Sequence, residues 1–306
     1  MPPAAPRLIA LDWGTTSLRA RLIDGAGATL STRSSADGIL HVPAGGFPAV
    51  LQRVCGDWRA AHGVPLIASG MVGSRQGWAE APYLPCPAGP TEAAAQLARV
   101  PLDGGAWLAI VPGLVCRGDD GQADVMRGEE TQLWGADLPA GACAVLPGTH
   151  SKWAWTGPQG RIEAFQTWMT GETFGLMTQH GLLGRLMTPG AAFAEADFDD
   201  GARLGLARPA QLLHTVFAAR TAGLTGERAP AALADFLSGM LIGAEVAGAL
   251  AQRRVERVTL IGEAALCLRY GRALAQAGVT AETAADDITA RGQWRLARAA
   301  GLLETA

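Results

Sequence analysis

A carboxylate and three small residues interrupt an apolar stretch close to the start of this 306-residue chain. Asp12 ends the apolar run LIALD, and Gly14, Thr15 and Thr16 follow it before a second alternating run begins. Backbone N–H groups and hydroxyls of a Gly/Thr turn can hold a phosphate. An aspartate beside them can bind Mg²⁺ through water, because this ion keeps most of its hydration shell. We therefore expect Asp12 to organise a metal ion and the turn to contact phosphate.

A second turn of small and polar residues, PGTHSK, opens the other half of the chain. Its candidate phosphate contacts are Gly148, Thr149, His150, Ser151 and Lys152. Lys152 is the single lysine of a sequence that otherwise uses arginine, which indicates a position where a compact ammonium is needed. The alternatives are an ordinary hairpin turn and a lysine that merely faces solvent. Because each half opens with such a turn, the pair favours a site that grips a nucleoside triphosphate.

Three carboxylates in the segment DVMRGEETQLWG are candidates for a general base. They are Asp124, Glu129 and Glu130, and Arg127 lies among them, where it can pair with these acids or reach a substrate. A base that accepts a hydroxyl proton is one of the few groups that phosphoryl transfer needs from a protein. The alternative for the two glutamates is simple complementation of the dipole at a helix start.

Strand and helix patterns place these turns in two similar halves. RLIALDW and LRARLID read as a hairpin, ACAVLPGTHSKWAWTG as another, and AWLAIVPGLVC as one buried strand. Apolar spacing predicts a helix over 46–62, and GEETQLWGADL begins another. Helical stretches follow over 173–251, interrupted by TPGAAFAEADFDDGARLG. We therefore predict two α/β domains, 1–137 and 138–306.

Composition excludes several classes of protein. Apolar residues make up 49% and charged residues 17% of the chain, which suits a sizeable core. The net charge of −3 gives no footprint for nucleic acid, and no apolar run reaches the roughly 18 residues of a membrane span. Five scattered cysteines and a start without a signal-peptide pattern indicate reduced thiols and a cytoplasmic protein. The oligomeric state stays open, a homodimer included.

The first turn resembles the phosphate motif of the superfamily of sugar kinases, heat-shock proteins and actin. Longer motifs throughout the chain are similar to those of 2-dehydro-3-deoxygalactonokinases. They are SGMVGSRQGWAEAPYLPCPA, DVMRGEETQLWG, LPGTHSKW, FQTWMTGETFG and IGEAAL. This resemblance implies ATP-dependent, Mg²⁺-dependent phosphorylation at O6 of 2-dehydro-3-deoxy-D-galactonate. It also implies two ribonuclease-H-like domains with the active site in a cleft between them.

The resemblance assigns further residues to the two substrates. Gly262, Glu263 and Ala264 are similar to the adenosine motif, where small residues let the backbone approach the base. A plain strand-to-helix turn is the alternative there. Sugar kinases of the superfamily use an aspartate near the helix that closes the first domain, which favours Asp124 slightly. Related exopolyphosphatases use a glutamate in a similar setting, which keeps Glu130 in competition.

The segment GSRQGW follows a buried strand, where a substrate pocket is expected. Arg75 suits the planar carboxylate of a sugar acid, Ser74 and Gln76 suit hydroxyls, and Trp78 can form a wall. A surface arginine is the plainer interpretation of Arg75. Alternatives to the galactonate kinase are a kinase of another sugar acid, a phosphohydrolase of the polyphosphate type, and a nucleotide sensor without catalysis.

Overall fold

The computed structural model describes residues 5–118, 121–285 and 287–303, and the chain divides into two compact units. Unit 1 combines residues 1–141, 155–164 and 285–306, and unit 2 combines residues 142–154 and 165–284. The predicted boundary after residue 137 falls near the end of the first segment of unit 1. The structure differs from a continuous second domain over 138–306, because two later segments return to unit 1.

Unit 1 contains most of the strands of the first half and the last helix of the chain. Its elements are β1 (Pro6–Trp13), β2 (Leu18–Asp24), β3 (Thr29–Ser35), α1 (Phe47–His62), β4 (Leu66–Ser69), β5 (Tyr83–Pro85), α2 (Pro90–Ala94), β6 (Ala98–Pro101), β7 (Trp107–Ile110), β8 (Gly113–Arg117), β9 (Ala123–Met126) and α3 (Glu129–Ala136). The last helix in chain order also belongs to unit 1 and is called α10 (Ile288–Ala299).

Six strands of unit 1 form a sheet in the order β3-β2-β1-β4-β7-β6. β1 is antiparallel to β2 and parallel to β4, and β4 is parallel to β7, so the predicted first hairpin is confirmed. The segment predicted as one strand over AWLAIVPGLVC is instead two strands in different sheets. Pro112 lies between them and has no N–H to offer a ladder. β8 joins β5 and β9 in a three-stranded sheet.

The core of unit 1 lies between this sheet and helix α1. The buried face of α1 carries Phe47, Val50, Leu51, Val54 and Trp58, as the apolar spacing predicts. Burial of each such side chain contributes about 1.5–3 kcal/mol before entropy is counted. On the other side, α10 approaches α3 so closely that glycine is required on both helices. A Cβ at Gly135 would lie 1.8 Å from Ile288 O, and one at Gly292 would lie 1.9 Å from Thr131 O.

Unit 2 has a second sheet and most of the helices. Its elements are β10 (Cys143–Leu146), β11 (Ser151–Thr156), β12 (Ile162–Trp168), α4 (Thr170–Gly175), α5 (Glu195–Ala207), α6 (Leu212–Thr215), α7 (Ala218–Thr225), α8 (Leu233–Gln252), β13 (Arg257–Leu260), α9 (Ala264–Gln276) and β14 (Thr280–Thr283). The far part of the β11–β12 hairpin, 155–164, is counted with unit 1.

The sheet of unit 2 repeats the topology of the first. Its order is β12-β11-β10-β13-β14, and β10, β13 and β14 run parallel. Numbered in chain order within each sheet, unit 2 reads 3-2-1-4-5 and unit 1 reads 3-2-1-4-6-5, because the additional edge strand β6 precedes β7 in the chain. A hairpin followed by parallel strands in this order is the ribonuclease-H-like arrangement that the sequence predicts for both halves.

Helices α5 and α8 pack together in unit 2 through glycines spaced four residues apart. Gly201 and Gly205 on α5 face α8, and Gly239 and Gly243 on α8 face α5, each with no room for a Cβ. The interruption predicted at TPGAAFAEADFDDGARLG is therefore wrong for its second half, which forms α5. Among the described helices, α8 alone is long and apolar enough to cross a membrane, and most of it is buried within the unit.

Candidate functional site

Asp12 lies at the carboxyl end of β1, beside the end of a parallel strand. Its sheet neighbours are Arg19 on β2 and Ser69 on β4. The carboxyl ends of parallel strands are where α/β sheets bind ligands. Burial raises the pKa of the half-buried Asp12 carboxyl, and the charges of Arg21 and Arg19 oppose that shift. A nearby cation would stabilise the ionised form in the same way.

The first polar turn is held by backbone contacts. Gly14 N donates to Ser17 O at 2.9 Å, and Ile39 N donates to Gly14 O at 3.0 Å. A Cβ at Gly38 would lie 2.2 Å from the carbonyl carbon of Thr16, so the two segments touch along their backbones. Thr15 and Thr16 are exposed. The side chains of Thr15 and Thr16 are therefore accessible to a ligand.

Two glycines bring the start of α3 to the same end of the sheet. Gly70 follows β4 with φ +96°, and a Cβ there would lie 2.9 Å from Trp13 O. Gly128 precedes α3 with φ +111°, and a Cβ there would lie 3.3 Å from the Cα of Gly70. Both residues need the left-handed region and close backbone approach, which glycine allows. The segment Gly128–Glu130 thus lies against the ends of β1 and β4.

The candidate bases differ in their surroundings. Glu130 is fully buried, and its carboxylate accepts hydrogen bonds from Gly128 N at 2.7 Å and Thr131 Oγ1 at 3.0 Å. Burial, with the nearby charge of Glu129, raises the pKa of Glu130 to about 8. Asp124 is half-buried on β9, opposite Cys116 on β8, and Glu129 is also half-buried. Asp124 and Glu129 are therefore the more accessible carboxylates of the three.

The predicted sugar-acid contacts in the loop after β4 differ in how far they are exposed to solvent. Arg75 lies on the outside, with its side chain 87% exposed and its Nε 3.6 Å from Glu80. Gln76 is exposed, and Ser74 is half-buried. Trp78 points inward, where its ring stacks on Phe47 at a centroid distance of 5.7 Å.

Arg127, between β9 and α3, is buried instead. Its Nη2 donates to Ala81 O at 2.8 Å, and its guanidinium lies 4.3 Å from the centre of the Tyr83 ring. Its backbone N–H donates to the Glu129 carboxylate at 3.1 Å. The structure thus places Arg127 at the base of the loop that carries Ser74 and Gln76.

The second polar turn, in unit 2, packs against the start of α4. A Cβ at Gly171 would lie 2.3 Å from Gly148 O, and Glu172 N donates to Thr149 O at 2.9 Å. His150 forms an ion pair with Glu172 when its ring is protonated. Thr149 and His150 are exposed. The turn is therefore fixed by the start of α4, while Thr149 and His150 stay accessible.

Ser151 and Lys152 lie inside the unit rather than at its surface. Ser151 is fully buried, and its hydroxyl donates to Glu245 at 2.7 Å. Lys152 is 3% exposed, and its ammonium donates to His150 O at 3.0 Å. The interpretation of Lys152 as a solvent-facing residue is therefore wrong. Its ammonium braces the turn through a carbonyl of the turn itself.

Glu245 on α8 is a functional candidate that the sequence analysis missed. Its buried carboxylate accepts hydrogen bonds from Ser151 at 2.7 Å, Trp153 Nε1 at 2.9 Å and the Tyr270 hydroxyl at 2.6 Å. Burial raises the pKa of Glu245, and these donors, with Thr170, oppose the shift. The signal in the sequence was a lone acid within the apolar run MLIGAEVAGAL of a long helix. This carboxylate anchors the strand after the second turn.

The predicted adenosine motif lies beside the second turn. β10 and β13 are parallel neighbours, and a Cβ at Gly262 would lie 3.3 Å from Pro147 O. Glu263 caps α9, because its carboxylate accepts hydrogen bonds from Ala265 N and Leu266 N. Ala264 is exposed at the first position of that helix.

A largely apolar cavity of about 150 Å³ opens beside the turn. It is bounded by the turn, the start of α4, and one face each of α8 and α9. Its lining residues are Gly148, Thr170, Gly171, Phe174, Asp235, Ser238, Leu241, Ile242, Leu266, Arg269 and Tyr270.

The structure brings some of the predicted residues close together within each unit. In unit 1 the ends of β1 and β4, the first turn and the start of α3 converge. In unit 2 the second turn, the adenosine motif and the cavity converge. No group of three or more His, Cys, Asp or Glu side chains that could hold a metal ion is found among the residues that the structure describes.

Two ribonuclease-H-like units in one chain, each with a polar turn after its first strand, define the actin-like ATPase fold, which sugar kinases share with heat-shock proteins and actin. The chain belongs to the 2-keto-3-deoxy-galactonokinase family, whose model matches residues 12–296.

Curated relatives and a solved structure support this membership. The 2-dehydro-3-deoxygalactonokinase of Escherichia coli (strain K12) is 39% identical over 92% of this chain and 94% of its own length. The probable 2-dehydro-3-deoxygalactonokinase DgoK1 of Rhizobium meliloti (strain 1021) is 38% identical over 95% and 96%. A structure from Sinorhizobium meliloti, provisionally named for the same enzyme, is 37% identical and superposes with a TM-score of 0.87 over 96% of this chain and 98% of the other.

Proposed function

We propose that this chain is a kinase that transfers the γ-phosphoryl group of ATP to O6 of 2-dehydro-3-deoxy-D-galactonate. The observation that carries the proposal is the family match over residues 12–296, in which both polar turns lie at the carboxyl ends of first strands. The relatives named above act on this sugar acid by name. The reaction would take place in the cytoplasm, in the breakdown of galactonate.

The nucleotide would be held by unit 2. N–H groups of the turn at Gly148 and Thr149 suit the phosphates, because oriented backbone donors bind anions. The apolar cavity beside the turn suits the adenosine part, with Gly262 allowing close backbone approach. Lys152, Ser151 and Glu245 would act from behind the turn, because all three are buried and keep its backbone in place.

Asp12 and the first turn would serve the phosphoryl group and its metal ion. A single half-buried carboxylate fits Mg²⁺, which proteins bind through one or two carboxylates, water and the phosphates of the substrate. Bound there, the ion would neutralise charge on the phosphates. The exposed hydroxyls of Thr15 and Thr16 would add donors to the same oxygens.

Asp124 is our choice for the general base. Its carboxylate would accept the O6 proton as O6 attacks the γ-phosphorus, and ADP would leave. Asp124 is half-buried, whereas Glu130 is enclosed and folded back onto Gly128 N. The raised pKa of Glu130 argues in the other direction, since a base poised near neutral pH is effective.

The test is product analysis with purified protein, ATP, Mg²⁺ and the sugar acid. ³¹P NMR should show a new phosphate monoester and one equivalent of ADP. Release of inorganic phosphate instead would indicate a phosphohydrolase, and no turnover would indicate a nucleotide sensor. The C4 epimer of the sugar acid, tested in parallel, measures the substrate preference.

The choice of base has its own test. We expect Asp124→Asn to lower kcat by about 10²–10⁴-fold, the usual contribution of a positioned base, while sugar-acid binding by calorimetry is retained. Glu130→Gln should lower kcat less. The reverse ranking would assign the proton transfer to Glu130.

A further inference from the structure

The guanidinium of Arg127 is buried with part of its hydrogen-bonding capacity unused. The side chain is nine-tenths buried, its Nη2 donates to the carbonyl of Ala81, and its guanidinium lies over the ring of Tyr83, two neutral groups. The Glu129 carboxylate is bound by the backbone N–H of Arg127. Among the residues that the structure describes, none accepts a hydrogen bond from Nε or Nη1. A buried charge with unpaired donors is costly, so an anionic ligand at this position would stabilise the arrangement.

A second buried donor without a partner in the described part of the chain belongs to the loop that Arg127 contacts. This is the hydroxyl of Ser74, in the loop that follows β4. A Cβ on the preceding residue, Gly73, would lie 3.1 Å from Arg127 Nη1, so the guanidinium borders the backbone from which Ser74 projects. A carboxylate accepts several hydrogen bonds and matches such a set of donors.

The loop is closed around this point. Ala81 N donates to Gly73 O at 2.9 Å, Trp78 N donates to Val72 O at 2.8 Å, and Arg127 binds the same Ala81 by its carbonyl. The outer arginine of the loop, Arg75, lies in solvent beside the carboxylate of Glu80. Arg127 is therefore the cation at the base of the loop.

Building on the proposed function, we infer that Arg127, together with Ser74, binds the C1 carboxylate of the 2-keto sugar acid. This contact sets the preference for an acid over a neutral sugar, and Arg75 has no part in it. Because both donors are buried, the carboxylate reaches them when part of the Ser74–Glu80 segment moves aside. Binding of the acid and movement of the loop are then one event.

The competing role for Arg127 is that of a brace that only holds the loop, and substrate preference separates the two. The kinetic test compares 2-dehydro-3-deoxy-D-galactonate with its neutral C1 amide for the wild type, Arg127→Met, Arg127→Lys and Arg75→Met. Arg127→Met keeps the length of the side chain without its charge. We expect it to lower kcat/KM for the acid about 10- to 100-fold, as loss of a charged hydrogen bond does.

In Arg127→Met, kcat/KM for the amide should change less than threefold, so the preference for the acid over the amide should be lost. Arg127→Lys should retain part of the preference, and Arg75→Met, the matched control, should keep all of it. Equal losses on acid and amide would show a brace and overturn the inference, as would a collapse in Arg75→Met. If Arg127→Met does not fold by circular dichroism, Ser74→Ala and Arg127→Lys decide by the same ratio.

A binding experiment makes the inference independent of kinase activity. 2-Oxobutanoate is a small acid with the same carboxylate and keto group, and its binding can be measured by calorimetry. Wild type and Arg75→Met should bind it, Arg127→Met should not, and binding should alter hydrogen exchange of the segment 73–81. If wild type binds it through Arg127 but phosphorylates no sugar acid, the proposed function fails and the site stands. If wild type phosphorylates the acid and Arg127→Met keeps the preference, the site fails and the function stands.

Discussion

The two polar turns occupy equivalent places in two sheets of the same topology, yet they are supported differently. The first turn rests on the backbone of 38–40 and leaves its hydroxyls in solvent. The second leans on Gly171 and is followed by a strand whose Ser151 and Trp153 bind the buried Glu245. Equivalent turns can therefore be held by backbone contact in one unit and by a buried carboxylate in the other. Substitutions should accordingly affect chemistry in the first turn and nucleotide affinity together with stability in the second.

The largest effect is expected from Asp12→Ala in the first turn. Loss of the carboxylate should lower kcat by about 10³-fold, in line with removal of one preorganised electrostatic group. Because burial raises the pKa of Asp12, the ionised form is disfavoured by the fold, and the melting temperature should not fall. Asp57→Ala, which removes an exposed carboxylate paired with Arg33, is the control and should keep its activity. Normal turnover by a folded Asp12→Ala protein would remove Asp12 from the mechanism.

Gly171→Ala should displace the second turn. Its Cβ has no room beside Gly148 O, and a shift of about 1 Å in a positioned group can cost 10²-fold. We expect kcat/KM for ATP to fall about 10- to 100-fold with little change in sugar-acid binding. Gly175→Ala is the matched control, because Gly175 lies in the same helix and a Cβ there would meet no atom within 4 Å. If both variants keep wild-type kinetics, the contact between α4 and the turn has no functional role.

Lys152→Arg tests the buried lysine behind that turn. A guanidinium is larger than an ammonium, and overpacking a buried site costs about 1–3 kcal/mol. We expect a lower melting temperature and a higher KM for ATP, although the net charge is unchanged. Lys152→Met separates the effect of side-chain size from the effect of charge, because it keeps the volume of the side chain but not its charge. Wild-type stability and KM in Lys152→Arg would mean that the choice of lysine is incidental.

The prediction with the smallest effect on catalysis is a pH dependence of stability that belongs to unit 1. The pKa of Glu130 is about 8 in the folded chain against an ordinary value of 4.5, so the fold favours the protonated acid. Its stabilising contribution is complete below pH 4.5 and is lost as the pH rises through 8. The melting temperature of the wild type should therefore fall relative to that of Glu130→Gln over this interval. Parallel curves for the two proteins would contradict a raised pKa.

Sequence patterns were sufficient for the elements that carry the turns. The alternation around Asp12, the apolar spacing of α1 and the restart at Cys143 follow directly from side-chain periodicity. Helix α5 was not predicted because it contacts α8 through Gly201 and Gly205. Glycine has no apolar side chain, so these positions add nothing to a hydrophobic periodicity. Close backbone packing of this kind becomes visible only when both helices are in place.

Burial of individual polar side chains was harder to predict than the turns themselves. The sequence favours Arg75 as the carboxylate ligand and leaves Arg127 as a further candidate, whereas the fold puts Arg75 in solvent and Arg127 inside. Glu245 lies about ninety residues from Ser151 and Trp153, so its role depends on a contact that no local pattern encodes. The metal, the base and the sugar-acid contacts stay predictions that the variants above test.

Helix α10 has a consequence for the order in which the chain can fold during synthesis. Gln293 on this helix is fully buried and donates to Leu11 O at 2.7 Å and to the Ser69 hydroxyl at 2.9 Å, at the ends of β1 and β4. Those strands leave the ribosome early, whereas Gln293 follows Leu11 by 282 residues and Ser69 by 224 residues, so the helix that completes their packing emerges after unit 2. Unit 2 can therefore fold before α10, which completes unit 1, has been synthesised. A nascent chain stalled before Ile288 would therefore hold the ends of β1 and β4 without the support of α10.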